Sequence, residues 1–247
     1  LVCVALTLAA ARAWAAEPAA EKPILVLSVT GLDSRYHDWR ARSEAIYAAL
    51  SADRRFEVHR AEDPELLAAP ALGKYPVVFL HYRNLQPLAQ ADAVRRSLAA
   101  YVRGGGGLVA IHGALGAFPN WPEYVRIVGR VWGPKTGHDR RGPFPVTICD
   151  TQHPLTRGLT QFTADDELFS GLTGDTPVQV LATAASKRAG AEVPTAWALK
   201  YGQGRVFGST LGHDAQAIRT PGTAELLRRA CLWAARHDPG QDTATRP

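Results

Sequence analysis

The sequence predicts an α/β protein with a mostly parallel central sheet, helices on both faces and an added β-rich C-terminal half. The runs Pro23–Gly31, Val77–Tyr82 and Leu108–Ile111 are nearly unbroken aliphatic segments, as strands buried on both faces are. Between them apolar residues recur at helical spacing, at Trp39, Ile46, Tyr47 and Leu50 and again at Val94, Leu98, Tyr101 and Val102. Strand, helix, strand, helix, strand with short connections is the pattern of right-handed crossovers in a parallel sheet. A chain of 247 residues, 46% hydrophobic and 21% charged, has the apolar content for one sizeable core.

Taken in order, residues 1–15 form an apolar run closing on Ala13-Trp14-Ala15-Ala16, the small-residue pattern at which a secretory signal peptide is cleaved. Such a run is shorter than the roughly 20 residues that span a bilayer. The expectation is a periplasmic or secreted protein with no stable membrane span after signal removal. A linker over 16–22, a single domain over 23–237 and a loose polar tail over 238–247 complete the division.

Pro23–Gly31 reads as a first, central strand, followed by a loop carrying Asp33, Arg35, His37 and Asp38. Phe56–Arg60 alternates like an edge strand, with His59 in solvent. Val77–Tyr82 is a buried strand with Asn84 just past its end, and Gly104–Gly107 feeds another that delivers His112 at its tip. Trp121-Pro122-Glu123-Tyr124 opens a short helix. The Gly-, Pro- and Arg-rich stretch Val131–Pro143, around His138 and Asp139, is too long for a connector, and such loops are usually functional. Phe144–Ile148, Val178–Ala184, Thr195–Leu199 and Arg205–Thr210 read as strands, the last two a hairpin. His153 precedes a proline and orders a turn. A closing helix, Thr223–Arg236, buries Leu226, Leu227, Ala230, Cys231 and Ala234.

The formal net charge of +5 is mildly basic, and the arginines are scattered, so nucleic acid is not an expected partner. Cys3 leaves with the signal peptide. Cys149 and Cys231 lie in apolar surroundings and read as buried free thiols, although export would permit a disulfide.

In open α/β sheets the carboxyl ends of strands line the ligand crevice. Polar groups stand at four such ends: Thr30 to His37, Asn84, His112 and His213-Asp214. His112 and His213 lead as catalytic candidates, because flanking glycines let a ligand approach the backbone. Glu167 joins them, since Phe162 and Phe169 flank its acidic run and apolar walls raise a carboxyl pKa towards proton transfer. His37, Asn84, His138, Asp166 and Asp214 are candidates for substrate binding, and Asp214 could orient His213. Trp121, Tyr124 and Trp132 could form a platform for the apolar face of a sugar, or equally belong to the core. Three readings stay open on spacing alone. His112, His138, His213 and Glu167 could hold one divalent metal, though without the close pairing of an H-E-x-x-H helix. The same groups could work as metal-free acid/base pairs, or could be structural.

Several motifs carry a family resemblance. Gly105-Gly-Gly-Leu-Val-Ala-Ile-His112, Trp121-Pro-Glu-Tyr, His153-Pro-Leu-Thr-Arg-Gly-Leu, Asp166-Glu-Leu-Phe, Tyr201-Gly-Gln-Gly-Arg-Val-Phe, Leu211-Gly-His-Asp and Leu232-Trp-Ala-Ala together look like the ThuA (trehalose utilisation) family, over roughly Pro23 to His237. The resemblance implies a flavodoxin-like sheet related to class I glutamine amidotransferases. It also suggests a role in sugar catabolism beside dehydrogenases that make 3-keto-glycosides. Amidotransferases place a cysteine on a sharp strand-to-helix turn, where this chain has His112, so a cysteine-dependent amidotransferase is not expected. The expected function is an exported enzyme acting on a glycoside or 3-keto-glycoside by acid/base chemistry, through isomerisation, elimination or hydrolysis. The alternatives are a non-catalytic periplasmic sugar-binding or scaffold protein and a metal-dependent hydrolase. The expected partner is a small carbohydrate, and a homo-oligomer is compatible with the sequence.

Overall fold

The structure, a computed structural model, describes residues 22–31, 37–83 and 86–240. The expected signal peptide at 1–15, most of the expected linker, Asn84 and the end of the tail lie outside the described residues. Five strands form a parallel half. They are β1 (Ile24–Val29), β2 (Phe56–Ala61), β3 (Val77–Leu80), β4 (Gly107–Ile111) and the late strand β11 (Gly204–Ser209). The chain between β4 and β11 supplies β5 (Gly137–His138), β6 (Gly142–Ile148), β7 (Phe162–Asp166), β8 (Phe169–Ser170), β9 (Gln179–Ser186) and β10 (Ala191–Tyr201). The main sheet runs β2-β1-β3-β4-β11-β10-β9-β6-β7. Pairing is parallel as far as β11 and antiparallel beyond it. The order 2-1-3-4 followed by a further parallel strand is that of a flavodoxin-like fold.

Alternate residues of the parallel strands feed two cores. Val26, Phe79, Val109 and Ile111 pack towards α1 (Trp39–Ser51) and α5 (Pro221–Ala234). Leu27, Val29, Val78, Leu80, Leu108 and Ala110 pack with α2 (Ala91–Arg103) and α3 (Pro122–Val128). The side-chain period of two thus puts apolar residues on both faces of β3 and β4, which is why their sequences show no polar alternation. Asp38 starts α1 by accepting from the Ala41 amide, one of the donors a helix start leaves unpaired. A short helix α4 (Ala215–Arg219), too brief for periodicity to show, follows β11. Among the described residues no helix is long and apolar enough to cross a membrane.

Some expectations are corrected. β1 is internal but sits one strand from the edge, beside β2. Tyr47 is not on the buried stripe of α1; it is exposed, with the Arg60 guanidinium over its ring. Val131–Pro143 is not one open loop, because β5 pairs with β8 in a small second sheet and β6 begins at Gly142. Cys231 is a buried free thiol, but Cys149 is exposed and also free, at the end of β6. His153 orders its turn as expected, its Nδ1 accepting from the Leu155 amide.

Candidate active site

The carboxyl ends of β1, β3, β4 and β11 lie on one edge of the sheet, and the site forms above them. After Ile111 the chain turns abruptly into a single 3-10 turn over His112–Gly116. His112 takes φ +44°, a left-handed conformation that costs a non-glycine residue on the order of 1 kcal/mol or more. It is 2% exposed, and its Nδ1 stands 2.8 Å from the Thr210 carbonyl oxygen beyond β11. A carbonyl only accepts, so Nδ1 carries the hydrogen and Nε2 is a bare lone pair. Burial, seconded by the neighbouring His37, holds the His112 pKa well below the usual histidine value and keeps the ring neutral.

That lone pair faces His213, whose Nδ1 lies 3.2 Å from His112 Nε2 and 3.3 Å from Glu167 Oε2. One imidazole N–H therefore sits between a neutral nitrogen and a carboxylate. Burial alone would lower the His213 pKa, but the hydrogen bond and charge of Glu167, with Asp166 and Asp214, hold it above the ordinary value. Glu167 moves the opposite way: burial would raise it, but His213, His138 and His37 keep it ionised. His138 Nδ1 is 3.6 Å from its other oxygen, so Glu167 stands between two imidazoles. His37 completes the group, edge-on to the rings of His112 and His213 with centroids 5.4 and 4.9 Å away. One ligand atom from each of His37, His112 and His213 lies within 4.8 Å of the other two, the spacing of groups able to surround a metal ion.

These side chains open on a cavity of about 240 Å³. Its apolar walls are Trp132 and Phe169, the latter against the His112 ring at 4.4 Å between centroids. Arg83 brings a guanidinium to the rim and stacks over Trp132 at 5.2 Å. A second cavity of about 340 Å³ adjoins it, sharing Arg83 and Gly116 and running towards Arg95 and Asn120.

His37, His112, His138, Glu167 and His213 thus converge, while other candidates stand elsewhere. Asp166 is fully buried beneath the cavity and accepts from the amides of Glu167, Gly212 and His213 at 2.8, 2.6 and 3.2 Å. Burial raises its pKa to about 6 against those donors. Asp214 does not orient the His213 ring; its carboxylate caps α4 and pairs with Arg141 at 2.8 Å. Trp121 and Tyr124 are not on the cavity wall. Tyr124 is buried, its hydroxyl donating to the Ala114 carbonyl, and Trp121 stacks on it at 5.7 Å, so both belong to the core. Sequence reasoning missed Arg83, although its place just past β3, beside Asn84, is the strand-end signal that found the histidines. It also missed His81, buried after β3 with Ser28 Oγ at 3.2 Å from its Nε2 and its carbonyl accepting from Arg42. Neither Cys149 nor Cys231 lines the cavity.

A flavodoxin-like sheet extended by antiparallel strands, with a histidine-rich cavity over its carboxyl edge, defines the class of protein. The family model for ThuA, trehalose utilisation, matches residues 24–234, and the chain belongs to that family. Its role is accordingly carbohydrate-related. Among solved structures the chain is similar to a ThuA-like protein from Parabacteroides merdae, with 27% identity, 92% of this chain and 94% of that one covered, and a TM-score of 0.78. It is similar to a ThuA-like protein from Bacteroides uniformis, with 19% identity, 91% and 98% covered, and a TM-score of 0.68. A beta-galactosidase from Bacillus circulans shares the fold alone, at 13% identity and TM-score 0.59, over 88% of this chain and 32% of that one. No curated protein matches the sequence.

Proposed function

We propose that the protein is an enzyme that acts on a glycoside or 3-keto-glycoside by acid/base chemistry in this cavity. The observation that carries the reading is the neutral His112 nitrogen and the ionised Glu167 carboxylate sharing the His213 N–H at the mouth of one pocket. A keto group acidifies the C–H bond beside it, so isomerisation or elimination needs a base for that proton, an acid for the leaving or enolic oxygen, and a group for the developing oxyanion. Glu167 is the base, His213 the acid, His112 the fixed nitrogen that orients it, and Arg83 the cation for the oxygen. Trp132 and Phe169 receive the apolar face of the sugar. The adjoining cavity gives room for the second half of a glycoside.

The test is a panel of glycosides and 3-keto-glycosides, with product analysis and titration calorimetry. Conversion of a 3-keto-glycoside, lost by a factor of roughly 100 to 10,000 in His112→Ala while circular dichroism stays native, is the expected result. Undiminished turnover in that variant removes the assignment. Saturable binding without any product makes the protein a sugar-binding module instead. The apolar run at 1–15 adds the proposal of export to the periplasm or medium, and an N-terminus at Ala16 on the protein recovered there is the expected outcome.

A further inference from the structure

We propose that His37, His112 and His213 hold one divalent first-row transition cation, with Glu167 beside it as the proton acceptor. The proposal deepens the reading of this cavity as a catalytic site and rests on it.

Four features of the geometry point to an ion. The three imidazoles come from the entry to α1 and from just past the ends of β4 and β11, and they meet at one point. One ligand atom from each lies within 4.8 Å of the others. Two nitrogens on a tetrahedral ion, each about 2.0–2.1 Å from it, are about 3.3 Å apart; His112 Nε2 and His213 Nδ1 are 3.2 Å apart. Glu167 Oε2, at 3.3 Å from the His213 nitrogen and 3.8 Å from that of His112, stands where an anion neighbours the ion or accepts a proton from its bound oxygen.

His112 is also held as metal-binding histidines usually are, with one ring nitrogen tied to a backbone carbonyl so that the other presents its lone pair. The left-handed turn at its α-carbon aims that lone pair, and the buried ring next to Phe169 excludes water behind it. Three imidazoles with one nearby carboxylate suit zinc, iron, cobalt or nickel; magnesium and calcium prefer a shell of oxygens. With the cation bound, the His213 Nδ1 proton is released to solvent, His112 and His213 act as ligands, and proton transfer narrows to Glu167 and to His138 on its far oxygen. The ion would polarise the keto oxygen that the carbohydrate reading requires.

The full-length protein, stripped with a chelator, is titrated with Zn²⁺ and Co²⁺ by calorimetry, the cobalt also followed by its visible spectrum. One equivalent should bind, with Mg²⁺ and Ca²⁺ weaker by roughly a hundredfold or more. His37→Ala and His213→Ala are made at part-buried positions that tolerate truncation better than His112. Each should weaken Zn²⁺ binding by roughly tenfold or more and change the cobalt spectrum. Uptake far below one equivalent, or unchanged affinity in both variants, overturns the proposal. Turnover of a 3-keto-glycoside by the stripped protein also overturns it but leaves the carbohydrate reading intact. Stoichiometric zinc uptake that depends on these histidines, with no glycoside bound or converted, supports the metal site and removes the carbohydrate reading.

Discussion

The parallel strands β3 and β4 are buried along their whole length, whereas β6 and β9 of the antiparallel half carry exposed positions among covered ones. The two halves contribute differently to the cavity. The parallel half supplies the nitrogens of His112 and His213 from just past the ends of β4 and β11, and that of His37 from the entry to α1. The chain inserted between β4 and β11 supplies Glu167, His138, Trp132 and Phe169 from short segments, His138 and Phe169 on the small β5–β8 sheet. A rigid sheet edge therefore fixes where the imidazoles meet, and the inserted chain decides which carboxylate and which apolar wall they meet. Asp166 joins the halves: it lies at the end of β7, yet two of its three hydrogen bonds go to amides just beyond β11.

Breaking that joint should have the largest effect. Asp166→Ala leaves the Gly212, His213 and Glu167 amides without their acceptor, and an unsatisfied buried amide costs about 1–3 kcal/mol. Gly212 is held at φ +110°, a conformation other residues rarely adopt, so this turn has few alternatives. Urea unfolding should show a loss of about 3–5 kcal/mol. Asp166→Asn keeps an acceptor oxygen and should lose less than half as much. Equal stability of Asp166→Ala and the parent would mean that the halves are not joined here.

The same contrast explains how much of the molecule was legible beforehand. Strands buried on both faces betray themselves as aliphatic runs, so β1, β3 and β4 could be read directly, and with them the place of His112. The site's second half was harder, because Asp165, Asp166 and Glu167 look alike in sequence. Which of them is buried depends on a pairing with Gly212, 46 residues away in the chain, that no local pattern encodes. Likewise β5 exists only because Phe169 and Ser170 lie opposite Gly137 and His138. Tyr124 was ambiguous for another reason, since a tyrosine's apolar ring and polar tip suit a sugar and a core equally well. Cys149 looked buried in its aliphatic context, but its position at the end of β6 leaves it exposed.

A smaller effect in the parallel half should depend on pH. His81, at the end of β3, is fully buried, and burial, reinforced by the Arg42 guanidinium, holds its pKa well below the ordinary value. Below about pH 6.5 the unfolded chain binds a proton here that the folded chain does not. Stability is therefore unaffected by this group above that pH and is lost as pH falls through it, by up to about 1.4 kcal/mol per unit. Urea midpoints at pH 7.5 and 5.5 should show a smaller acid loss in His81→Gln, which can still bond Ser28, than in the parent. Identical losses would place the acid sensitivity in groups other than His81, the equally buried His112 among them.

The smallest effect concerns the aromatics, where a core ring and a cavity-wall ring of the inserted chain can be set against each other directly. Tyr124, on the buried face of α3, packs in the core and donates to the Ala114 carbonyl, on the turn that begins at His112. Tyr124→Phe keeps the ring and removes only that donor, leaving a buried carbonyl with one partner fewer. The expected cost is about 0.5–1.5 kcal/mol, with kcat/KM for any accepted glycoside unchanged. Trp132, on the cavity wall, should respond in the opposite sense: Trp132→Ala removes the surface against which a sugar ring would lie, raising KM several-fold with a smaller effect on kcat. If Tyr124→Phe raised KM and Trp132→Ala did not, the sugar platform would have to be moved from the cavity wall to the packed face of α3. The cavity between Trp132 and His112 would then no longer be where substrate binds.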